Sequence, residues 1–92
     1  MKIDYDPKKN AWNVEHRDLP FALVEHVDWD TALIREDTRY DYPEQRYVML
    51  ACMNGGLYVV CFTPIADGIR VISFRKADKP ERRNYERHYH PC

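Results

Sequence analysis

The chain has 92 residues, 45% of them hydrophobic and 32% charged, with a formal net charge of -1. That is one domain's length, and at roughly 60 to 65% burial of the unfolded surface it supports two or three helices on one sheet with no room for a deep cofactor cavity. No run approaches the ~18 apolar residues of a membrane helix, and the opening Met1-Lys2-Ile3-Asp4 lacks the apolar stretch of a signal peptide, so a single cytoplasmic domain over 1–92 is expected, without cofactor.

In chain order, Ile3-Asp4-Tyr5 reads as a short leading strand, and Asp6-Pro7 starts a helix over about 7–16, because an Asp cap accepts from orphan amides and Pro suits the first helical position. Ala11, Trp12 and Val14 are its apolar residues, while Lys8, Lys9 and Asn13 point elsewhere. After a turn at Arg17-Asp18-Leu19-Pro20, the spacing of Phe21, Leu23, Val24 and Val27 predicts a second short helix. Thr31–Asp37 is a charged edge strand and Tyr40–Pro43 a loop. Gln45–Met53 and Leu57–Thr63 are strands joined by Asn54-Gly55-Gly56, the strongest hairpin signal in the chain. Val48, Leu50, Cys52, Leu57, Val59 and Cys61 share one face, and Tyr47, Met49, Ala51, Tyr58, Val60 and Phe62 the other. With both faces apolar, the sheet is either covered twice or keeps an aromatic side for a partner. Pro64–Gly68 connects to a last strand, Ile69–Phe74, in which Arg70 is a charge planted within the sheet. Asp78 then caps a helix over Lys79–His88. The class is α+β: leading strand, two helices, a four-stranded antiparallel meander and a C-terminal helix.

Three cysteines are an odd number, and Cys52 and Cys61 lie in apolar strand patterns, so small-residue packing is expected and a disulfide framework is not. If Asn54-Gly55 makes a two-residue turn, Cys52 faces Leu57 and Cys61 faces Val48. There is no CxxC, and the only close histidine pair, His88 and His90, lies at the end of a helix, so no zinc site is expected.

The charge is unevenly spread. Residues 1–45 carry six Lys/Arg against eleven Asp/Glu, and residues 46–92 eight against four. Arg70, Arg75 and Lys76 on the last strand, followed by Arg82, Arg83 and Arg87, form a basic cluster that a strand end fixes while the guanidinium forks stay free for phosphate. The plainer alternative is an ordinary charged helix surface with Arg82 and Glu86 as an i,i+4 pair. If the ligand is RNA, cleavage by the 2′-hydroxyl needs a base, cations for the phosphorane and an acid for the leaving 5′-oxygen. Arg70, Arg75 and Lys76 suit the cationic role. His16, Glu44, Glu81 and Tyr85 are the proton-transfer candidates, although Glu44 also suits pairing with Arg46 and Glu81 the helix dipole.

Asp6-Pro7-x-Lys9-x-x-x-Asn13, Phe21, Tyr42-x-Glu44-x-Arg46-Tyr47, Arg70-Val71-Ile72-Ser73-x-Arg75-Lys76-Ala77 and Glu81-Arg82-Arg83-x-Tyr85 together resemble the BrnT family of toxins from type II toxin-antitoxin systems, over about residues 3–86. The resemblance implies a RelE-like fold and a cofactor-free, metal-independent ribonuclease acting on mRNA. It also implies a BrnA-like ribbon-helix-helix antitoxin, through which alone the toxin meets DNA and with which it represses its own operon. Catalytic roles then fall to Arg70, Arg75, Lys76 and Glu81, and RNA contacts to Lys9, His16, Glu44, Arg46, Arg82, Arg83 and Tyr85. The chain departs from the family at His16-Arg17-Asp18, where Lys-His-Gly is usual, and at Ala51, where Gly is usual. A second reading, from another class, is a non-catalytic domain that binds a partner segment through its basic rear half and aromatic sheet face. Direct DNA binding ranks last, since no helix-turn-helix spacing appears.

Overall fold

Asn54 and Gly55 take positive φ values of 50° and 80°, the geometry of the two-residue hairpin turn that matches strand twist. That turn fixes the register of the molecule's centre. The computed structural model describes Met1–Cys92. In it β3 (Tyr47–Met53) pairs antiparallel with β4 (Gly56–Ile65), placing Cys52 opposite Leu57 and Cys61 opposite Val48, as the turn requires. β2 (Leu33–Glu36) adds to β3, and β5 (Gly68–Lys76) to β4, both antiparallel.

The meander is not the whole sheet. β1 (Lys2–Tyr5) joins it in parallel beside β5, giving five strands in the order β1-β5-β4-β3-β2. At Gly68 the approach of β1 is so close that an added Cβ would collide with the Lys2 backbone, which only glycine tolerates. β4 and β5 also run further than expected. Pro64 pairs with Ile69 at the exposed end, and only Ala66-Asp67 remain as the connection.

α1 (Pro7–Arg17) starts as its cap predicts, with the Asp6 carboxylate accepting from Lys8 N at 2.9 Å. Its buried side is a correction: Trp12, Val14 and Ala11 are exposed, and Asn13 is the one buried residue. Asn13 Nδ2 donates to Leu19 O (2.8 Å) and Phe74 O (2.9 Å). α1 therefore takes over the flank of β5 beyond β1, where backbone carbonyls need donors and a hydrophobe would leave them unpaired. Asp18, in the left-handed region at φ 55°, ends the helix.

The second predicted helix is a 3-10 segment, Phe21–His26. It has no side-chain cap and runs only between Pro20 and Val27, and its stripe is buried as expected. Leu19, Phe21, Val24 and Val27 cover Met49, Ala51, Val60, Phe62, Val71 and Phe74. This removes the aromatic sheet face on which the non-catalytic reading relied, because Phe62 is buried and Tyr47 and Tyr58 pack against that core.

The opposite face is covered only in part. α2 (Lys79–Glu86) packs Tyr85, and the turn before it Ala77, on Leu50, Leu57 and Val59. A bulge skips Ile72, since Cys61 pairs with Ser73 while Phe62 pairs with Val71. The period-two alternation of a regular strand, which sets Ile69, Val71 and Ser73 against Arg70, Ile72 and Phe74, is therefore broken, which is how Val71 and Phe74 enter one core.

The absence of any disulfide is likewise corrected. The tail after α2 folds back so that Cys92 bonds Cys52 across 40 residues, with Cys61 left free. Comparing Cys52 with Cys61 alone, two residues far apart along the ladder, misses a partner brought by the chain end. By loop closure such a bond stabilises by up to about 4 kcal/mol. Cys92→Ser is expected to lower the urea midpoint under non-reducing conditions and to abolish the effect of added reductant.

Candidate functional site

Because paired residues share a face, the register lays out the open part of the α2 side. Arg35, Val48, Cys61 and Ser73 form one row across the sheet, and Leu33, Leu50, Val59 and Arg75 the row beside α2. Val48, Cys61 and Ser73 are half-buried, a floor that no helix covers.

Arg75 projects from the row next to this floor and meets Glu81 fork to fork, Nη1 to Oε1 and Nη2 to Oε2, both at 2.8 Å. Glu81 is fixed from behind by the capping box: its Oε1 accepts from Asp78 N at 2.9 Å while the Asp78 carboxylate accepts from Glu81 N. The Arg75 hydrogen bonds, opposed by partial desolvation, hold the Glu81 carboxyl down at about 2. A carboxylate that acidic is a poor proton acceptor near pH 7, so Glu81 orients Arg75 and leaves the guanidinium's Nε–H edge for a ligand. Since the folded value lies below the ordinary 4.5, this contribution to stability is fully present above that pH and lost as pH falls towards 2. Urea midpoints measured across that window are expected to fall, and Glu81→Gln to flatten the fall. A residual slope should remain, because Asp37 and Asp4 are also held below the usual carboxylate range.

A loop from Asp37 to Arg46 forms a second wall and lines an open hollow of about 550 Å³. Its staple is Asp37, buried, whose carboxylate accepts from Arg39 Nε and Nη2 at 2.9 Å and from the Tyr42 hydroxyl at 3.2 Å. Asp37 N also donates to Arg46 O at 2.7 Å. Arg46 is thereby seated with its guanidinium 4.1 Å above the Tyr42 ring and its Nε donating to Glu44 at 2.8 Å. Burial pushes the Cys61 thiol up, against the pull of nearby cations that include Arg46 and Lys9, so it stays a neutral S–H.

The third wall is α1. Lys9, Trp12 and Arg17 line a groove of about 190 Å³ together with Ile72 and Ser73. Ser73 thus belongs both to the open floor and to this groove.

Of the three cations expected on one platform, Arg75 and Arg70 share the face of the open floor and Lys76 does not, which is a correction. Arg70 pairs with Thr63, two residues along β4 from Cys61, and Val59, the partner of Arg75, lies two residues away on the other side. The two guanidinium stems are therefore roughly 13 Å apart at about 3.3 Å per residue, with the floor between them. Arg70 donates to Asp4 at 2.8 Å. Lys76 pairs with Tyr58 and so faces the other side of the sheet, beside Arg82 and the Asn54 turn. A period of two separates neighbours on a strand, so Arg75 and Lys76 cannot share a face. Arg82 donates to Ala77 O and Arg83 is exposed. Tyr85 is 1% exposed, its hydroxyl bonded to Thr31 O, and is a core residue with no surface for RNA. His16 sits on α1, stacked on Trp12.

Of the expected residues, Arg75, Arg70, Glu81, Arg46, Glu44 and Lys9 therefore surround the open floor. Arg35, Ser73, Cys61, Arg17 and Trp12 join them without having been picked out. Arg35 depends on the register of β2 against β3 across the loop of residues 37–46, and nothing local marks the bulge that sets Ser73. No three His, Cys, Asp or Glu side chains come together as a metal-holding group, and no helix is long and apolar enough to cross a membrane.

Fold and site define a small α+β protein with one sheet face left open and rimmed by guanidinium and ammonium groups, as a polyanion-binding surface is built. A profile of the family described as "Ribonuclease toxin, BrnT, of type II toxin-antitoxin system" matches residues 5–81, and the chain belongs to that family. No curated protein matches the chain. Membership makes it a ribonuclease toxin with RNA as substrate and an antitoxin as partner.

Proposed function

We propose that this toxin is a RelE-like endoribonuclease that cuts mRNA without a metal, the scissile phosphate docking over Cys61 and Ser73. The observation that carries the reading is Arg75, locked by Glu81 beside a floor that is open and rimmed by cations. The substrate 2′-hydroxyl attacks phosphorus, the bond to the 5′-oxygen breaks, and a 2′,3′-cyclic phosphate and a 5′-hydroxyl result. Arg75, Lys9, Arg35 and Arg46 stabilise the extra negative charge of the phosphorane, which preorganised donors do at little reorganisation cost. Glu81 is a positioning residue. With Glu81 too acidic to take a proton, Glu44 is the group left beside the floor for proton transfer, and His16, on α1 against Trp12, serves only if the bound strand reaches it. Arg70, across the floor from Arg75 and paired with Asp4, holds the neighbouring phosphate, while Lys76, Arg82 and Arg83 contact RNA beyond the cleavage point.

The antitoxin in this reading is BrnA-like, with a ribbon-helix-helix DNA-binding part through which the complex represses its operon. A short neighbouring reading frame with that pattern supports it. The direct test is primer extension on cellular RNA after induction, joined to cleavage by antitoxin-free protein in excess chelator. New 5′ ends within messages and chelator-resistant cleavage are expected. Intact RNA in both assays overturns the reading and favours the non-catalytic alternative.

A further inference from the structure

Trp12 stands in solvent, 49% exposed, on a helix whose only buried residue is Asn13. It is not part of the motif that marks the family, and it belongs to neither buried core cluster. Its surroundings are those of a stacking site. His16 lies on it at 4.4 Å between ring centroids and 18° between planes, and the Arg17 guanidinium sits 4.9 Å from its centroid. Lys9, Trp12, Asn13, His16 and Arg17 follow the three-and-four spacing of one helical face. The groove of about 190 Å³ beside Trp12 opens towards Ser73 on the proposed phosphate floor.

We propose that Trp12, flanked by Arg17 and Lys9, forms a subsite for one unpaired nucleobase of single-stranded RNA next to the scissile phosphate. The proposal rests on the ribonuclease reading above and adds to it where a base goes. A flat ring system fits the groove, whereas a ribose and phosphate have to lie at its mouth, where the two cations are. Neither Lys9 nor Arg17 takes part in any of the four ion pairs, so their charge is available to the backbone on either side of the base. Arg17 is held in place without being neutralised, donating from Nη1 to Asn13 Oδ1 at 3.0 Å and to Phe74 O at 3.4 Å. Aromatic stacking between flanking cations is how single strands are gripped with little sequence preference, because every base offers a π face.

The test uses two non-cleavable probes, an octa-adenylate with 2′-fluoro sugars and an abasic oligomer of equal charge. Trp12→Ala is expected to weaken adenylate binding on the order of tenfold and to leave abasic binding unchanged, with circular dichroism checking the fold. In a Trp29→Phe background, which removes an indole N–H that is buried without a partner, Trp12 emission should be quenched by the adenylate and not by the abasic probe. Equal binding of both probes by wild type and Trp12→Ala, with RNA cleavage intact, overturns the subsite and spares the ribonuclease reading. If wild type neither binds the adenylate nor cleaves RNA, that reading fails and the subsite falls with it.

Discussion

Arg75→Ala is expected to abolish growth arrest on induced expression and to slow RNA cleavage by about 10² to 10³-fold, the usual effect of removing one preorganised charge-stabilising donor. The fold should survive, because the Arg75–Glu81 pair is partly exposed, with side-chain accessibilities of 40% and 25%, and such pairs contribute little, about 0 to 1 kcal/mol. Arg75→Lys should recover little activity. An ammonium cannot meet Glu81 with two parallel bonds and still present an oriented N–H edge to phosphate. Equal toxicity of Arg75→Ala and wild type, at equal protein level, would remove the central residue of the mechanism.

Asn13→Ala is expected to be the most destabilising small change on α1, costing about 2 to 5 kcal/mol, since it removes donors to two carbonyls at a site 1% exposed and buried unmet acceptors cost about 1 to 3 kcal/mol each. For a chain of this size that is a fall of very roughly 8 to 40 °C in Tm at 4 to 8 °C per kcal/mol. Asn13→Asp should do no better, because a carboxylate oxygen replaces the donor against the same carbonyls. The consequence reaches the site, since Asn13 Oδ1 also holds Arg17. A Tm within about 2 °C of wild type would show that α1 docks by other means.

Asn13 also shows where local reading stops. By composition α1 has Ala11, Trp12 and Val14 to bury, and it buries none of them, because its neighbour is a strand flank that needs donors more than it needs apolar area. The same limit applies to the cationic cluster. Adjacency in sequence suggested that Arg75 and Lys76 act together, yet strand alternation puts them on opposite faces. Tyr85 looked like a surface ring on a basic helix and is instead the anchor that holds α2 to the sheet.

What the residues alone determined is whatever depends on nearest neighbours: the Asp6-Pro7 and Asp78 helix starts, the Asn54-Gly55 turn and, through it, the pairing of β3 with β4. Those are local backbone chemistry, decided by caps and positive φ. Only the tertiary structure decided that β1 closes the sheet in parallel, that Ile72 bulges, that Cys92 returns to Cys52, and that α2 leaves part of one face bare. Each of these joins groups far apart in the chain, and their stability comes from contacts that no window of sequence contains. The open floor of Cys61 and Ser73, ringed by cations from four separate elements, is such a product.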